Sequence, residues 1–208
     1  MKIIPFIYSE VFELAANAYL ISDSHDNCVV IDPGANDDKI LNYLKSHKLN
    51  LKGILLTHGH FDHIAGVNIL LKNYNCQIYI AEEDERLLNN PHLNCSDRFS
   101  RKDVTVKNKA TILKDWEELD LLEEKIQVIK TPYHTEGSVC FYLPDSKVLF
   151  SGDSLFRGSV GRMDFITSRP ELFEQSLRII LSLPGETLVY PGHEETTTIE
   201  EERKNYMM

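Results

Sequence analysis

Apolar residues along the chain fall into short runs of strand length and longer stretches with a helical period. Two apolar runs flank a polar turn within residues 17–34, which is typical of a β-hairpin. Over residues 37–48 the apolar positions recur on one side of a 3.6-residue period, which predicts an amphipathic helix. Residues 53–57 form another apolar run of strand length. This part of the chain is therefore predicted to combine paired strands with a helix.

The same alternation of strands and helices continues to the end of the chain. Helices are predicted for residues 65–74, 82–88 and 171–183. Strands are predicted for residues 77–81, 126–130, 138–143, 147–151 and, as the final strand, 187–190. Residues 89–118 are polar and weakly periodic, which indicates a long excursion over the surface and across a site. Because no repeat or linker is visible, one domain over residues 1–208 is predicted.

Composition and charge narrow the class of protein. Hydrophobic residues make up 42% of the 208 residues and charged residues 26%, which is ordinary for a globular protein. The net charge of −10 argues against nucleic-acid or anionic membrane partners, because phosphate groups need a cationic surface. No signal-peptide pattern and no membrane-length apolar run are visible, so the cytoplasm is the expected compartment. The four scattered cysteines are predicted to be reduced thiols without a catalytic role.

A dense histidine motif follows the predicted strand 53–57. It reads His58-Gly59-His60-Phe61-Asp62-His63. Its three imidazoles and one carboxylate are suitable ligands for divalent zinc, iron or manganese. A surface histidine cluster is the alternative, but such a cluster does not require this ordered spacing. The motif therefore predicts a metal site on a loop after a strand.

Three later residues are further candidate ligands, because each ends or follows a predicted strand. They are His134, Asp153 and His193. Taken singly, each also suits an ordinary role: a strand-end histidine, a turn or cap aspartate, and a histidine that closes a Pro-Gly turn. Since loops at one edge of a sheet can converge, the three are candidates to join the first cluster.

Together and in this order, the seven residues resemble the signature of the metallo-β-lactamase superfamily over residues 17–193. The resemblance implies an α/β fold, an αββα sandwich of two mixed β-sheets flanked by helices, with the site at one sheet edge. It also implies a first metal held by His58, His60 and His134, a second held by Asp62, His63 and His193, and a bridging Asp153.

The resemblance implies hydrolysis with two divalent ions per chain, zinc first, with iron or manganese as alternatives. A water shared by two cations loses a proton near neutral pH and becomes a nucleophile, and the ions stabilise the tetrahedral oxyanion. Asp62 would ligate one ion and orient the nucleophile. Asp32 lies where the family places a buried aspartate that supports the histidine loop, although a turn-capping role suits it equally.

Residues 152–164, 191–193 and 196–202 resemble the glyoxalase II-like branch of this superfamily. That branch hydrolyses thioesters such as S-lactoylglutathione, so a small-molecule thioester is the expected substrate. A single bridging aspartate, with no cysteine at a metal position, separates the chain from several true β-lactamases. Antibiotic hydrolysis is therefore not expected.

Two features differ from the pattern of that branch. Full-length glyoxalase II proteins continue into a helical domain that helps to bind glutathione, whereas this sequence stops fifteen residues after His193. At residues 132–137, Tyr133 and Glu136 stand where the family commonly has glycine and proline, and both are expected to crowd the metal edge. The two differences predict an altered substrate preference.

Four side chains near the motifs are candidate substrate contacts. Tyr133 and Phe156 would form an apolar wall, unless Phe156 is buried in the core. Arg157 and Arg162 would bind a substrate carboxylate, unless they pair with a neighbouring acid such as Asp164.

Other activities on the same scaffold are alternatives to thioester hydrolysis. A persulfide dioxygenase would use one iron, and full retention of the second ligand group argues against it. A lactonase, nuclease or phosphodiesterase would also use two metals, but the acidic composition offers no basic exosite for RNA or DNA. A metal-binding protein without turnover is the non-enzymatic alternative.

Overall fold

The computed structural model describes residues 1–8 and 15–206, and its strands form two six-stranded sheets. In the first sheet the spatial order follows the chain: β1 (Lys2–Phe6), β2 (Ala18–Ser22), β3 (Asn27–Ile31), β4 (Asn50–Leu55), β5 (Gln77–Ala81) and β6 (Thr111–Leu113). The second sheet also follows the chain: β7 (Glu118–Leu119), β8 (Ile126–Lys130), β9 (Val139–Leu143), β10 (Val148–Gly152), β11 (Leu188–Pro191) and β12 (Thr197–Thr198).

Seven α-helices connect or follow the strands of the described residues. They are α1 (Lys39–Ser46), α2 (Phe61–Ile64), α3 (Val67–Asn73), α4 (Glu82–Glu85), α5 (Ser96–Phe99), α6 (Phe173–Leu181) and α7 (Ile199–Asn205). Short 3-10 turns extend α4 and precede α6, at Arg86–Asn89 and Pro170–Leu172. Among the described residues, no helix combines the length and the apolar character needed to cross a membrane.

Strand direction brings the loops of the two sheets to a common edge. In the first sheet, β3, β4, β5 and β6 pair in parallel. In the second, β8 and β10 both pair antiparallel to β9, and β11 is parallel to β10. The carboxyl ends of β8, β10 and β11 therefore share one edge, and the residues that follow them are brought close together.

The core is divided by the alternation of side chains along each strand. In β2, Leu20 faces an outer apolar layer and Ile21 faces the layer between the sheets. The inner layer joins residues of both sheets, such as Val29, Phe141 and Phe150. Because both faces of the strands are covered, they read as continuous apolar runs.

Helices cover the two outer faces. Leu44 of α1 packs in the apolar cluster that covers the first sheet, and this cluster includes α3 residues. Leu177 of α6 and Ile199 of α7 pack in the cluster that covers the second sheet. The structure confirms the αββα sandwich of two mixed sheets.

The structure corrects two expectations about elements. The strand predicted at residues 187–190 is not the final one, since β12 and α7 follow it. The segment 89–118 contains α5 and β6. Its structure depends on the buried Asn94, whose amide donates to the carbonyls of Leu87 and Val104, both at 2.9 Å. A single buried polar anchor leaves no periodic pattern in a sequence.

Candidate metal centre

The seven candidate ligands lie on the segments that follow four strands, and two of these ligands are on a short helix. His58 and His60 follow β4, and His60 caps the short helix α2, which carries Asp62 and His63. The other three follow β8, β10 and β11: His134, Asp153 and His193. Both sheets therefore contribute ligands to one edge of the sandwich.

Three imidazoles form the first ligand group. His58 Nε2 and His134 Nε2 each lie 3.0 Å from His60 Nδ1. Tetrahedral zinc with nitrogen bonds of 2.0–2.1 Å needs a separation of about 3.3 Å between ligand atoms, close to the spacing seen. Burial, with the charge of His134, lowers the pKa of His60 to about 3. The imidazole is therefore neutral and offers a lone pair.

A carboxylate and two imidazoles form the second ligand group. Asp62 Oδ2 lies 3.3 Å from His193 Nε2 and 3.9 Å from His63 Nε2. Burial lowers the pKa of His63, but the charges of Asp153 and Asp32 raise it more, to well above its usual value. The second group thus carries more negative charge around its histidines than the first does.

Asp153 connects the two groups. Its Oδ1 lies 3.3 Å from His63 Nε2 and 3.7 Å from His193 Nε2, both in the second group. Its Oδ2 lies 3.4 Å from His134 Nε2 in the first. One carboxylate therefore directs one oxygen toward each group, which is the arrangement of a bridging ligand.

Three buried atoms of the ligand residues have no hydrogen-bond partner within the described residues: His60 Nε2, His63 Nε2 and Asp153 Oδ1. Leaving such atoms unpaired costs about 1–3 kcal/mol each, and more for a charged group. A divalent cation would satisfy His63 Nε2 and Asp153 Oδ1, which lie 3.3 Å apart, and mixed imidazole and carboxylate ligands suit zinc, iron and manganese. The residues present therefore fit a pair of metal ions.

Comparison with known families agrees with this geometry. The sequence pattern of the Metallo-beta-lactamase superfamily matches residues 11–193, which is most of the chain. The chain belongs to this superfamily. The chain is therefore an enzyme of a metallo-hydrolase superfamily, and its His/Asp cluster can hold metal ions.

Relatives of this superfamily member differ in the activities that their names state. A probable metallo-hydrolase, YqgX of Bacillus subtilis, is 36% identical over 195 residues, 92% of each chain. The hydroxyacylglutathione hydrolase GloC of Haemophilus influenzae is 31% identical over 91% of this chain and 90% of its own length. A hydroxyacylglutathione hydrolase of Vibrio cholerae is 36% identical over 86% of this chain but only 61% of its own length.

Solved structures of the superfamily are equally varied. The BLEG-1 B3 metallo-beta-lactamase has a TM-score of 0.90 at 33% identity, covering 98% of this chain and 97% of its own. TTHA1623 in a di-iron-bound form has a TM-score of 0.87 at 34% identity, covering 97% and 98%. ETHE1 from Myxococcus xanthus has a TM-score of 0.77 at 28% identity, covering 99% and 83%. The superfamily is therefore clear, whereas these relatives span several activities.

Asp32 holds the histidine motif in place through hydrogen bonds. Its carboxylate accepts hydrogen bonds from Thr57 N at 2.8 Å and Thr57 Oγ1 at 2.5 Å. Its Oδ2 also lies 2.9 Å from His63 Nδ1. A proton held on Nδ1 by this contact leaves Nε2 of His63 free to bind metal. Of the two roles considered from the sequence, the structure shows support of the histidine loop.

Sequence reasoning missed a second supporting carboxylate, Asp84. It is fully buried at the end of α4 and accepts hydrogen bonds from Gly59 N at 2.9 Å, Gly137 N at 2.9 Å and Thr135 Oγ1 at 2.7 Å. Burial raises the pKa of Asp84 to about 6, while its three donors act in the opposite direction. Asp84 thus ties the His58–His60 loop to the loop that carries His134.

The turn that carries His193 is fixed in a similar way. Tyr19 donates its hydroxyl to the carbonyl of Pro191 at 2.6 Å. Gly192 packs so closely that a Cβ there would lie 2.4 Å from Asp153 Oδ1. Only glycine fits between the bridging carboxylate and the turn, which accounts for the Pro-Gly-His sequence.

A cavity of about 300 Å³ opens over the ligands and includes two of the expected substrate contacts, Phe156 and Arg162. The Arg162 guanidinium lies 4.6 Å from the ring centre of Phe165. It also donates to Asp164 at 2.6 and 2.7 Å. Arg162 therefore borders the cavity while it is paired to the acid that the sequence suggested as an alternative partner.

Two other expectations about this edge, those for Tyr133 and Glu136, are wrong. Tyr133 is fully buried, and its hydroxyl donates to the Ser154 carbonyl at 2.5 Å, so it does not line the cavity. Arg157 pairs with Glu195 at the surface, which is the alternative that the sequence left open. Glu136 forms ion pairs with two arginines and does not crowd the ligands. Isolated turn residues carry no periodic signal that distinguishes inward from outward side chains.

Among the other lining residues that the sequence did not suggest are Cys95 and Phe99. Both belong to the segment 89–118, so that segment does reach across the site, as expected. Burial raises the pKa of the Cys95 thiol, so the thiol stays protonated near neutral pH. Cys95 consequently lines the cavity but is a poor nucleophile.

Replacing Asp84 with alanine should weaken metal binding in the first ligand group. The change leaves the backbone N–H groups of Gly59 and Gly137 without an acceptor and removes one partner of the Thr135 hydroxyl, so it releases the loops on both sides of that group. Loss of such outer contacts typically lowers metal affinity about 10–100-fold. Competition with a chromophoric zinc chelator would measure it.

The matched control is Glu85→Ala, which removes an exposed carboxylate from the same helix. Its metal affinity should equal that of the wild type. Equal affinities for Asp84→Ala and Glu85→Ala would contradict the supporting role of Asp84.

Proposed function

We propose that the protein is a dinuclear metal-dependent thioesterase that acts on hydroxyacyl thioesters resembling S-lactoylglutathione. The observation that carries the proposal is the Asp153 carboxylate, shared by two ligand groups at the base of a cavity of small-molecule size. The relative named hydroxyacylglutathione hydrolase GloC, which matches over nearly its whole length, supports thioesters as the substrate class.

Two divalent ions in this site would supply Lewis acidity and a water molecule of lowered pKa. Asp62 lines the cavity, and its carboxylate can accept a hydrogen bond from an attacking water, which orients that water toward the carbonyl carbon. Phe156 and Phe165 line the same cavity and limit access of bulk water. Asp62 is therefore the proposed catalytic residue, and the two aromatic rings are proposed to shape the substrate space.

A thioester has a leaving group that can depart without help from a strong proton donor. A thiol has a pKa of about 8.5, so a thiolate departs without the strong proton donor that an alcohol or amine needs. The thiol of Cys95 stays protonated through burial, so a covalent acyl intermediate on this residue is disfavoured. Hydrolysis is therefore proposed to proceed by direct attack of water, with no covalent intermediate on a residue that lines the cavity.

Zinc is the proposed metal, with iron or manganese as alternatives. Imidazole-rich sites bind all three, and availability in the cell often decides between them. The di-iron form of TTHA1623 shows that a superfamily relative accepts iron. The expected ligands are the same for each metal.

Two other activities have support from particular structures. ETHE1 suggests persulfide oxidation, for which oxygen consumption and one iron per chain would be expected. BLEG-1 suggests β-lactam hydrolysis, and its high structural similarity keeps that activity open despite the sequence-based expectation against it. The complete second ligand group favours a two-metal hydrolase over a one-iron oxygenase.

Chelation and reloading test the proposed function. Hydrolysis of S-lactoylglutathione should disappear on treatment with chelator and return on addition of zinc, iron or manganese. Oxygen uptake with glutathione persulfide and cleavage of a chromogenic β-lactam serve as parallel assays. If the metal-loaded protein cleaves only the β-lactam, β-lactam hydrolysis replaces the proposed activity. If it consumes oxygen with glutathione persulfide and does not hydrolyse the thioester, persulfide oxidation replaces it.

Removing a ligand from the centre should abolish hydrolysis while the fold persists. His63→Ala and Asp153→Ala should each lower kcat/KM at least about 100-fold, because loss of a direct ligand exceeds the effect of losing an outer contact. Far-ultraviolet circular dichroism should stay close to that of the wild type. His25→Ala is the matched control, since this exposed histidine lies outside the ligand groups. Full activity in either ligand variant would contradict the dinuclear site.

A further inference from the structure

A second cavity adjoins the cavity over the metal ligands. It also measures about 300 Å³, and the two cavities share Phe61 and Phe99. Small residues such as Gly34 and Ala35 line it, which leaves room beside the aromatic rings. Each cavity alone is at the lower end of small-molecule sites, roughly 300–1,000 Å³, so the pair suits an elongated ligand.

The outer wall of this second cavity is basic. Arg101 and Lys102 line it, and both are exposed. Across residues 1–8 and 15–206, neither of them forms a salt bridge with an acidic side chain. The nearby Asp97 is already paired, with its Oδ2 lying 2.9 Å from His92 Nδ1. Among the described residues, both cations therefore lack an acidic partner.

Local positive charge is notable on this protein because the whole chain carries a net charge of −10. An anionic ligand is repelled by that overall field, and adjacent cations at a cavity mouth counter the repulsion where the ligand enters. The guanidinium of Arg101 can bind a carboxylate or phosphate through two parallel hydrogen bonds, and Lys102 adds a point charge.

We propose that the second cavity binds the thiol portion of the substrate and that Arg101 and Lys102 hold its anionic groups. The inference rests on the proposed thioesterase function, and it adds the class of thiol: an elongated carrier that bears carboxylates or phosphates away from its sulfur. Phe61 and Phe99 then flank the connection between the acyl and thiol portions, since they border both cavities.

Binding of S-methylated thiols tests this inference, because the methyl group prevents the sulfur from coordinating as a thiolate. The probes are S-methylglutathione with carboxylates, S-methyl-coenzyme A with phosphates, and neutral S-methyl-N-acetylcysteamine, titrated calorimetrically into the metal-loaded protein. The variant Arg101→Ala/Lys102→Ala should bind one of the anionic probes about tenfold more weakly than the wild type does. The affected probe identifies carboxylate or phosphate as the anchor.

The matched control is Lys107→Ala/Lys109→Ala, which removes the same charge from exposed positions that do not line the cavity. Its affinity for the anionic probes should match that of the wild type. Equal losses in both double variants would show a general charge effect and overturn the inference. So would failure of both anionic probes to bind, or an equal loss for the neutral probe.

Turnover separates this inference from the proposed function. With the thioester of the affected thiol, Arg101→Ala/Lys102→Ala should raise KM about tenfold and leave kcat nearly unchanged, because the cations act on binding and lie away from the ligands. Hydrolysis with unchanged KM would overturn the inference and leave the thioesterase intact. Selective binding of an anionic probe without hydrolysis of any thioester would overturn the thioesterase and leave the anion site intact.

Discussion

The position of the Asp153 carboxylate is the constraint on which the site depends. It is 9% exposed and directs one oxygen toward each ligand group, so both groups are held within the span of a single side chain. Burying a carboxylate is costly unless cations or hydrogen bonds compensate it. Burial raises the pKa of Asp153, but the interactions with His63, His193 and His134 lower it by more, to well below its usual range. Gly192 completes the arrangement because no larger residue fits beside this carboxylate.

Two further buried carboxylates hold the ligand-bearing loops in fixed positions relative to the strands. Asp32 follows β3 and fixes Thr57 and His63, while Asp84 follows β5 and joins the loops that carry the first ligand group. Backbone donors at strand ends have no partner within the sheet, and these acids supply one. The parallel strands of the first sheet therefore provide both the histidine motif and its supports. The second sheet provides the ligands that close the site.

The sequence predicted the features that are local or that repeat along an element. The histidine motif could be read because its ligands lie within six residues, and the central strands could be read because they are apolar on both faces. Asp84 escaped notice because it is one of four consecutive acids, and only the tertiary structure distinguishes it. Tyr133 was misjudged because its hydroxyl partner lies 21 residues away. The role of a single residue in a loop depends on contacts that no local period encodes.

Seven side chains from two sheets are arranged as one site for two metal ions. The number of ions it holds can be counted by mass spectrometry after metal-free protein is saturated with zinc and passed through a desalting column. Two zinc ions per chain are predicted, one for each of the ligand groups joined by Asp153. One ion per chain, or none, would contradict it.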